Sequence, residues 1–293
     1  MFNSNNLLFL FLKFKSKIYC ALPRPLSLAL GRMTGRFLYY FIPLRKKVAL
    51  INLRIAFPEK SNHEIKCILK KCYLHFGMLI ADFLRLPTLN KKNINNLIEL
   101  DHKTKTLLGK DNPCIIMTGH IGNWELFLSV FGYNNYRASG VAKTQKNKAG
   151  DRFFSWIRAC DNTLIIASDG NPIKDLSKAF NKGYHLIFIS DQNAGEKGTK
   201  NYLFNAPTFT PKGAAIFNVK NDTPILFITI IMNKDYSYSI DSKKLNLVFK
   251  NDLKEQKVID INDAYNKELE NSIIKSPEQY FWFHKKWDKK YYQ

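Results

Sequence analysis

The feature that most constrains the fold is an alternation, in the middle of the chain, between short continuous apolar runs and segments of helical periodicity. The apolar runs are "CIIMTG", "NTLIIAS", "HLIFIS" and "TPILFITIIM". The helical segments among them are "NWELFLSVFGY", "DRFFSWIRAC", "DLSKAFNKGY" and "PKGAAIFNVKND". Strands buried on both faces of a parallel sheet have such unbroken apolar sequences, and helices between them cover the sheet. We therefore predict an α/β fold with a mixed, partly parallel sheet flanked by helices.

Two of the predicted strands are followed directly by polar residues. His120 comes after the first apolar run and Asp191 comes after the third. In open α/β sheets, functional sites gather at the carboxyl ends of the strands. The sequence therefore places both residues at the edge of the sheet where a site is expected.

The chain divides into an N-terminal segment and one large domain. Its 293 residues and 45% hydrophobic content are ample for a folded core. Residues 61–87 have apolar residues at helical spacing and lead into the alternating region. We assign residues 61–293 to a single α/β domain and residues 1–60, which are apolar and basic, to a preceding helical segment.

The N-terminal segment has the character of a membrane-associating helix. The stretch "LPRPLSLALGRMTGRFLYYFIPLRKK" is nearly apolar enough to cross a bilayer, but it carries Arg32 and Arg36. On a helix these two arginines share one face, whereas Phe37 and its apolar neighbours lie elsewhere. This pattern favours a helix that lies in the plane of the lipid headgroups. The alternative is a surface helix packed on its own domain.

The net charge and the cysteines indicate the environment of the protein. The 45 Lys and Arg residues against 24 Asp and Glu give a formal charge of +21. Such a surface attracts nucleic acid, anionic lipid or an acidic carrier protein, although much of the excess could also be solvated surface without a partner. The five cysteines are scattered and form no Cys-x-x-Cys pair, which is typical of a reducing compartment such as the cytoplasm.

The stretch "GHIGNWE" carries the chemistry that the sequence predicts. Gly119 and Gly122 flank His120 and permit a tight turn. Asn123 is a candidate N-cap, which would place Glu125 in the first turn of the next helix. From that turn the carboxylate could fold back, fix the imidazole tautomer and raise its basicity, as in a serine-hydrolase triad.

The third member of such a triad is absent from the sequence. No Gly-x-Ser-x-Gly motif occurs, so the nucleophile could be a hydroxyl group of the substrate. His120 would then remove that proton directly as a general base. The alternative is a capping histidine followed by a surface glutamate, because a histidine and an acid at this spacing often occur by chance.

Four blocks in the same order along the chain resemble one family. They are "LALGRMTGRFLYYFIPLRKKVALINLRIAFPE", "GHIGNWE", "SDQNAGEKGTKNYLFNAPTFTPKGAAIF" and "SPEQYFWFHKKW". Together they are similar to the bacterial lipid A biosynthesis acyltransferases, the late lauroyl and myristoyl transferases within the glycerolipid and lysophospholipid acyltransferase superfamily. The resemblance implies an acyltransferase-like α/β fold and a catalytic dyad formed by His120 and Glu125.

The resemblance also implies residues that bind substrate. Asp191 and Gln192 match the Asp-Gln pair of the family, and Asn123 lies within its histidine motif. Arg158 matches a family arginine, with Arg152 as the alternative. An arginine beside the dyad could stabilise a developing oxyanion or bind a phosphate of the acceptor. An Asp191–Arg158 ion pair that only holds the loop is the structural alternative.

The last block, "YFWFHKKW", allows two interpretations. Trp282, Trp287, Lys285 and Lys286 could form an interfacial belt at the membrane. Equally, the aromatic side chains could be packed in the core while the lysines are solvated. His284 is expected to be structural.

The family implies transfer of a fatty acyl chain from acyl carrier protein to a hydroxyl of a Kdo-bearing lipid A precursor. The enzyme would act on the cytoplasmic face of the inner membrane, beside anionic lipid, without a metal or another cofactor. One alternative keeps the dyad and changes the acceptor to another glycolipid or a lysophospholipid. A more distant alternative is a basic nucleic-acid-binding protein, which is disfavoured because the aromatic residues lie mainly in apolar runs. A non-catalytic membrane protein is the third alternative.

Overall fold

The computed structural model describes residues 4–109, 112–169 and 171–293. The N-terminal third is helical, with α1 at Ser4–Ala21, α2 at Arg24–Phe41, α3 at Lys46–Ala56 and α4 at Asn62–Leu84. A capping box fixes the start of α4, since Ser61 and Glu64 each accept a hydrogen bond from the backbone N–H of the other. The helix ends before Pro87, as the sequence predicts.

The rest of the chain contains the strands and their helices. The strands are β1 at Ile115–Thr118, β2 at Ala138–Ala142, β3 at Thr163–Ala167, β4 at His185–Ile189, β5 at Thr199–Leu203, β6 at Ala206–Thr210, β7 at Ile225–Met232 and β8 at Tyr238–Lys244. The helices are α5 at Ile94–Leu97, α6 at His102–Leu108, α7 at Phe127–Tyr133, α8 at Lys148–Ile157, α9 at Pro172–Asn181, α10 at Gly213–Asn221 and α11 at Lys254–Lys275.

Six strands form one sheet in the order β3-β2-β4-β1-β7-β8. The first five are parallel and β8 is antiparallel to β7. In the centre of the sheet, Ile116 is in register with Ile187 of β4 and Leu226 of β7. These three side chains are buried, because helices cover both faces. The predicted α/β fold with a mixed, partly parallel sheet is confirmed.

Several elements differ from the sequence-based expectation. Strand β2 was not predicted, because its sequence "ASGVA" contains mostly small residues rather than an apolar run. The edge strand β8 and the separate β5–β6 hairpin were also missed. The segment predicted as one helix from Asn123 begins instead with a 3₁₀ turn at Trp124–Leu126, and only then continues as α7.

Helix α2 packs closely on α4 through glycines. A Cβ atom added to Gly31 would lie 2.4 Å from the carbonyl oxygen of Gly77, and one added to Gly35 would lie 2.1 Å from that of Tyr73. The opposite side of α2 exposes Arg32, Arg36 and several apolar residues. Among the described residues, no helix combines the length and the hydropathy needed to cross a bilayer.

A buried polar network ties the N-terminal helices to the sheet. The guanidinium of Arg24 donates two hydrogen bonds to Asp82, at 2.9 and 2.7 Å. Asp82 also accepts from the Tyr238 hydroxyl at 2.8 Å, and this hydroxyl accepts from the amide of Asn123 at 3.0 Å. Because Asn123 lies in the loop after β1, the network fixes that loop against α2, α4 and β8.

Candidate active site

The site lies where two adjacent parallel strands end. His120 follows β1 and Asp191 follows β4. The imidazole Nδ1 lies 2.6 Å from Asp191 Oδ1, and the backbone N–H of His120 donates to Oδ2 at 2.9 Å. The prediction that both residues meet at the carboxyl edge of the sheet is confirmed.

The backbone around His120 depends on its glycine neighbours. Gly122 has a φ of +62°, and a Cβ atom there would lie 1.8 Å from the carbonyl oxygen of Ile230. The carbonyl of Gly122 accepts a hydrogen bond from Nε2 of the buried His75 at 3.2 Å. Burial lowers the pKa of His75 to about 4, so this imidazole is neutral and serves to hold the turn.

The two members of the pair shift each other's proton affinity. Burial lowers the pKa of His120, but the charge and hydrogen bond of Asp191 together with the charge of Glu125 raise it by more, so the net pKa is above its ordinary value. Burial raises the pKa of Asp191, yet the charge and hydrogen bonds of His120 and the charge of Lys286 overcome this effect and bring it to about 2. Asp191 is therefore an ionised carboxylate that holds Nδ1–H of the imidazole.

The contact predicted between Glu125 and the imidazole is wrong. Glu125 instead accepts two hydrogen bonds from Arg158, both at 2.7 Å, and a third from the indole N–H of Trp124 at 3.1 Å. The 3₁₀ turn places Glu125 opposite the end of α8, where the planar guanidinium binds it through two nitrogens. The charge of Glu125 still acts at a distance and contributes to raising the pKa of His120.

Arg158 is the arginine that the fold brings to this region. Its guanidinium also lies over the rings of Phe154 and Phe83, at 4.7 and 5.7 Å from their centroids. Within the described residues it forms no ion pair with Asp191, so that alternative is wrong. Arg152 contacts Asn6 and Phe9 of α1 instead, which places it in a helix interface.

The remaining predicted site residues lie in different environments. Asn123 is 1% exposed and its side-chain amide binds Tyr238, so it caps no helix and is closed to substrate. That assignment is corrected, and Asn123 belongs to the network that holds the loop. Gln192 is exposed beside Asp191.

Aromatic side chains surround the imidazole. The ring of Trp124 lies 4.9 Å from that of His120 and the ring of Phe281 lies 6.0 Å away. The backbone N–H of Phe281 donates to the carbonyl of His120 at 2.9 Å. No hydrogen bond to Nε2 of His120 occurs in the part of the chain that the structure describes, and the side chain is 18% exposed. This nitrogen is therefore free to accept a proton from a bound molecule.

The C-terminal block contributes a residue that sequence reasoning placed wrongly. Trp282 and Trp287 are fully buried, so the interfacial belt is wrong and core packing of these aromatics is confirmed. Lys286, expected at the surface, is only 2% exposed and its Nζ has no hydrogen-bond partner among the described residues. Its neighbour Lys285 is exposed, and no local signal in the sequence distinguishes the two lysines.

The geometry supports general-base chemistry on a hydroxyl group. An ionised carboxylate fixes the tautomer of an imidazole whose other nitrogen is free, at the edge of a parallel sheet and between aromatic walls. The arrangement contains the base and the carboxylate of a hydrolase triad. A hydroxyl group of the substrate can supply the nucleophile.

Known proteins are similar to this chain along nearly its whole length. The family described as "Bacterial lipid A biosynthesis acyltransferase" matches residues 6–289. The lipid A biosynthesis palmitoleoyltransferase of Escherichia coli is 24% identical over 283 residues, covering 92% of this chain and 87% of that protein. The lipid A biosynthesis lauroyltransferase of the same organism is 23% identical over 278 residues, covering 90% and 86%.

A solved structure is also similar in part. The crystal structure of the 1-acyl-sn-glycerophosphate (LPA) acyltransferase from Thermotoga maritima matches with a TM-score of 0.36 and 12% identity, over 85% of this chain and 97% of that one. The family assignment rests on the sequence match along nearly the whole chain. The chain belongs to the bacterial lipid A biosynthesis acyltransferase family, and it is an acyltransferase.

Proposed function

We propose that the protein transfers a fatty acyl chain from acyl carrier protein to a hydroxyl of a Kdo-bearing lipid A precursor. The observation that carries the proposal is the His120–Asp191 pair, with its free Nε2, in a chain whose family acts in lipid A biosynthesis. The named relatives transfer lauroyl and palmitoleoyl groups, which supports a fatty acyl donor. The positive surface suits an acidic carrier protein and a phosphorylated lipid.

In the proposed mechanism, Nε2 of His120 accepts the proton of the acceptor hydroxyl as its oxygen attacks the thioester carbonyl. Asp191 stabilises the imidazolium that forms. The tetrahedral intermediate then collapses, the carbon–sulfur bond breaks, and the imidazolium returns its proton to the departing thiolate. No group other than the two substrates and the imidazole exchanges a proton in this sequence.

Arg158 is proposed to contribute positive charge to substrate binding. It lines a cavity of about 390 Å³ together with Lys143 and Thr144, which follow β2 at the same edge of the sheet. Arg158 and Lys143 are cationic and suit a phosphate of the acceptor, whereas the Thr144 hydroxyl already donates to Asp169 at 2.6 Å. Gln192, exposed beside Asp191, is proposed as a further polar contact to the acceptor.

The acceptor assignment is tested with purified full-length protein and acyl-loaded carrier protein. We expect mass spectrometry to detect one added acyl chain on a Kdo-bearing lipid A precursor and at least tenfold less transfer to a lysophospholipid. Equal or preferential acylation of the lysophospholipid would support the rival acceptor. Absence of transfer to every lipid, with the carrier protein intact, would contradict the proposed function.

The N-terminal helices are proposed to hold the enzyme on the cytoplasmic face of the inner membrane. The most exposed apolar residues of α1, α2 and the following turn include Leu7, Leu10, Phe11, Phe14, Met33, Phe37, Phe41, Ile42 and Leu44. The exposed basic residues beside them include Arg32 and Arg36. An apolar surface flanked by cations matches the interface of an anionic bilayer.

Replacing Arg32 and Arg36 together by glutamine is expected to weaken binding to anionic vesicles by roughly tenfold or more, at about 1 kcal/mol per basic residue near the surface. Co-sedimentation with phosphatidylglycerol-containing vesicles measures this binding. Wild type and the double variant should differ little in their binding to all-phosphatidylcholine vesicles. The control replaces the exposed Lys174 and Lys178 of α9 by glutamine. Equal losses in both double variants would mean that membrane binding is not localised to α2.

A further inference from the structure

The most unusual buried group outside the reacting pair is the ammonium of Lys286. We propose that Lys286 is a buried counter-cation of the His120–Asp191 pair, a positioning residue that keeps the imidazole in its unprotonated, base form. The inference rests on the proposed role of His120 as the general base. It concerns a group that is too deeply buried to touch substrate, since the residue is 2% exposed.

Hydrogen bonds on both sides of Lys286 tie its segment to the loops that follow β1 and β4. Upstream, Phe281 N–H donates to the carbonyl of His120 at 2.9 Å, so the C-terminal segment starts at the site. Downstream, the amide of Asn193 donates to the carbonyl of Trp287 at 3.0 Å, close to Asp191 along the chain. The hydroxyl of Thr208 donates to the carbonyl of Lys286 itself at 2.8 Å. The backbone on both sides of Lys286 is thereby fixed to the segments that carry His120 and Asp191.

An unpaired buried ammonium is costly, and a fold retains one only where a nearby negative charge offsets part of that cost. Nζ of Lys286 is shielded from solvent and has no hydrogen-bond partner among the described residues. Asp191 is the carboxylate whose charge acts on it, opposing the burial that lowers the pKa of Lys286 to about 8. At pH 7 Lys286 is therefore mainly protonated.

The charges around the imidazole act in opposite directions. Burial and the charge of Lys286 lower the pKa of His120. Asp191 and Glu125 raise it. Without the lysine, the two carboxylates would leave the imidazole protonated to a higher pH, and a protonated imidazole cannot act as a base. The other titratable groups around the pair are Tyr265, Tyr280, His284 and, through its effect on His284, Arg45.

Loss of the Lys286 charge changes the pKa of His120 in a defined direction. A positive charge near the imidazole favours its neutral form, so removing that charge raises the pKa of His120. The base form is then reached only at higher pH. The acid limb of the pH–rate profile therefore shifts to higher pH. The KM values of both substrates should not change, because Lys286 is closed to them.

The primary experiment follows the histidine resonances of the full-length protein by NMR as a function of pH, without substrate. The His120 resonance is assigned by its loss in His120→Gln. We expect Lys286→Met to raise the pKa of His120 by on the order of one pH unit. Lys286→Arg, which keeps the charge, should stay near wild type. The matched control is Lys285→Met, because Lys285 is the exposed neighbour of Lys286 and carries the same ammonium group without the burial.

A measurement on the wild-type protein does not depend on the variant folding. Deprotonation of Lys286 should give the His120 or His284 resonance a second inflection near pH 8. A folded Lys286→Met protein in which the pKa of His120 is unchanged or lowered would overturn the inference. If that variant does not fold, absence of the second inflection in wild type would overturn it instead.

Rate measurements separate this inference from the proposed function. In Lys286→Met, activity at pH 6 relative to the maximum of the same variant should fall roughly tenfold, the effect of a one-unit shift. The NMR result needs no substrate, so it stands even if the lipid A precursor proves to be the wrong acceptor. Conversely, transfer to that precursor with an unshifted imidazole would retain the function and remove the role of Lys286.

Discussion

Replacing His120 by glutamine is expected to lower the rate of acyl transfer by about 10²–10⁴-fold, the usual contribution of a positioned general base. Glutamine is uncharged and fills a similar volume, but its amide cannot take up the proton of an attacking hydroxyl. Asp191 would keep the hydrogen bond from the backbone N–H of residue 120 at 2.9 Å. The loss should therefore appear in kcat, with KM for either substrate nearly unchanged.

The experiment compares initial rates at a pH where the wild-type imidazole is neutral. The exposed His102, at the start of α6, provides the matched control, and His102→Gln should behave like wild type. Thermal unfolding of each variant establishes that the fold is retained. A folded His120→Gln enzyme with a rate within fivefold of wild type would exclude His120 as the base and leave the family chemistry to another group.

The central strands can be predicted from the sequence because burial on both faces alone determines their pattern of apolar residues. Strands β1, β4 and β7 are covered on both faces, so they appear as unbroken apolar runs. Strand β2 lies between β3 and β4, yet small residues give it no such signature. Its position is specified by its neighbours in the sheet, which a local pattern does not contain.

The partner of His120 illustrates the same limit at the site. Local spacing favoured Glu125, five positions away, because a carboxylate in the first helical turn could fold back. The carboxylate that holds the imidazole is 71 positions away in the chain, just after the end of the adjacent parallel strand. The strand-end argument brought Asp191 to the same edge, but only the sheet order makes the two strands neighbours.

Lys286 shows why buried charges are the hardest residues to find in a single sequence. A lysine is seldom fully buried, so the expectation of a solvated side chain followed the usual behaviour of the residue. The burial of Lys286 results from long-range packing of Trp282 and Trp287 in the core. The hydrogen bond from the Thr208 hydroxyl to the carbonyl of Lys286 also contributes. None of these contacts has a local signature.

Replacing Asp191 by asparagine is expected to reduce acyl transfer by on the order of 10³–10⁴-fold, as loss of the orienting carboxylate does in hydrolase triads. The asparagine amide can donate to Nδ1, which would leave the proton on Nε2, the nitrogen that has to accept one. The variant also lacks the negative charge that stabilises the imidazolium. Both effects act in the transition state, so kcat should fall and KM should change little.

The pH dependence gives this prediction a second readout. Asp191 raises the pKa of His120, so its removal lowers that pKa and moves the acid limb of the rate profile to lower pH. Lys286→Met is expected to move the same limb in the opposite direction. Opposite shifts from two buried residues of opposite charge are not expected from general loosening of the site.

Glu125→Gln provides the comparison that decides between the two carboxylates. Glu125 is bound to Arg158 through two hydrogen bonds and acts on His120 only through its charge. The variant should therefore lose less activity than Asp191→Asn, and its acid limb should shift less far toward low pH. If instead Glu125→Gln were the more damaging and Asp191→Asn stayed within tenfold of wild type, the dyad implied by the family resemblance would operate. The side chains of the loop after β1 would then have to rearrange when substrate binds.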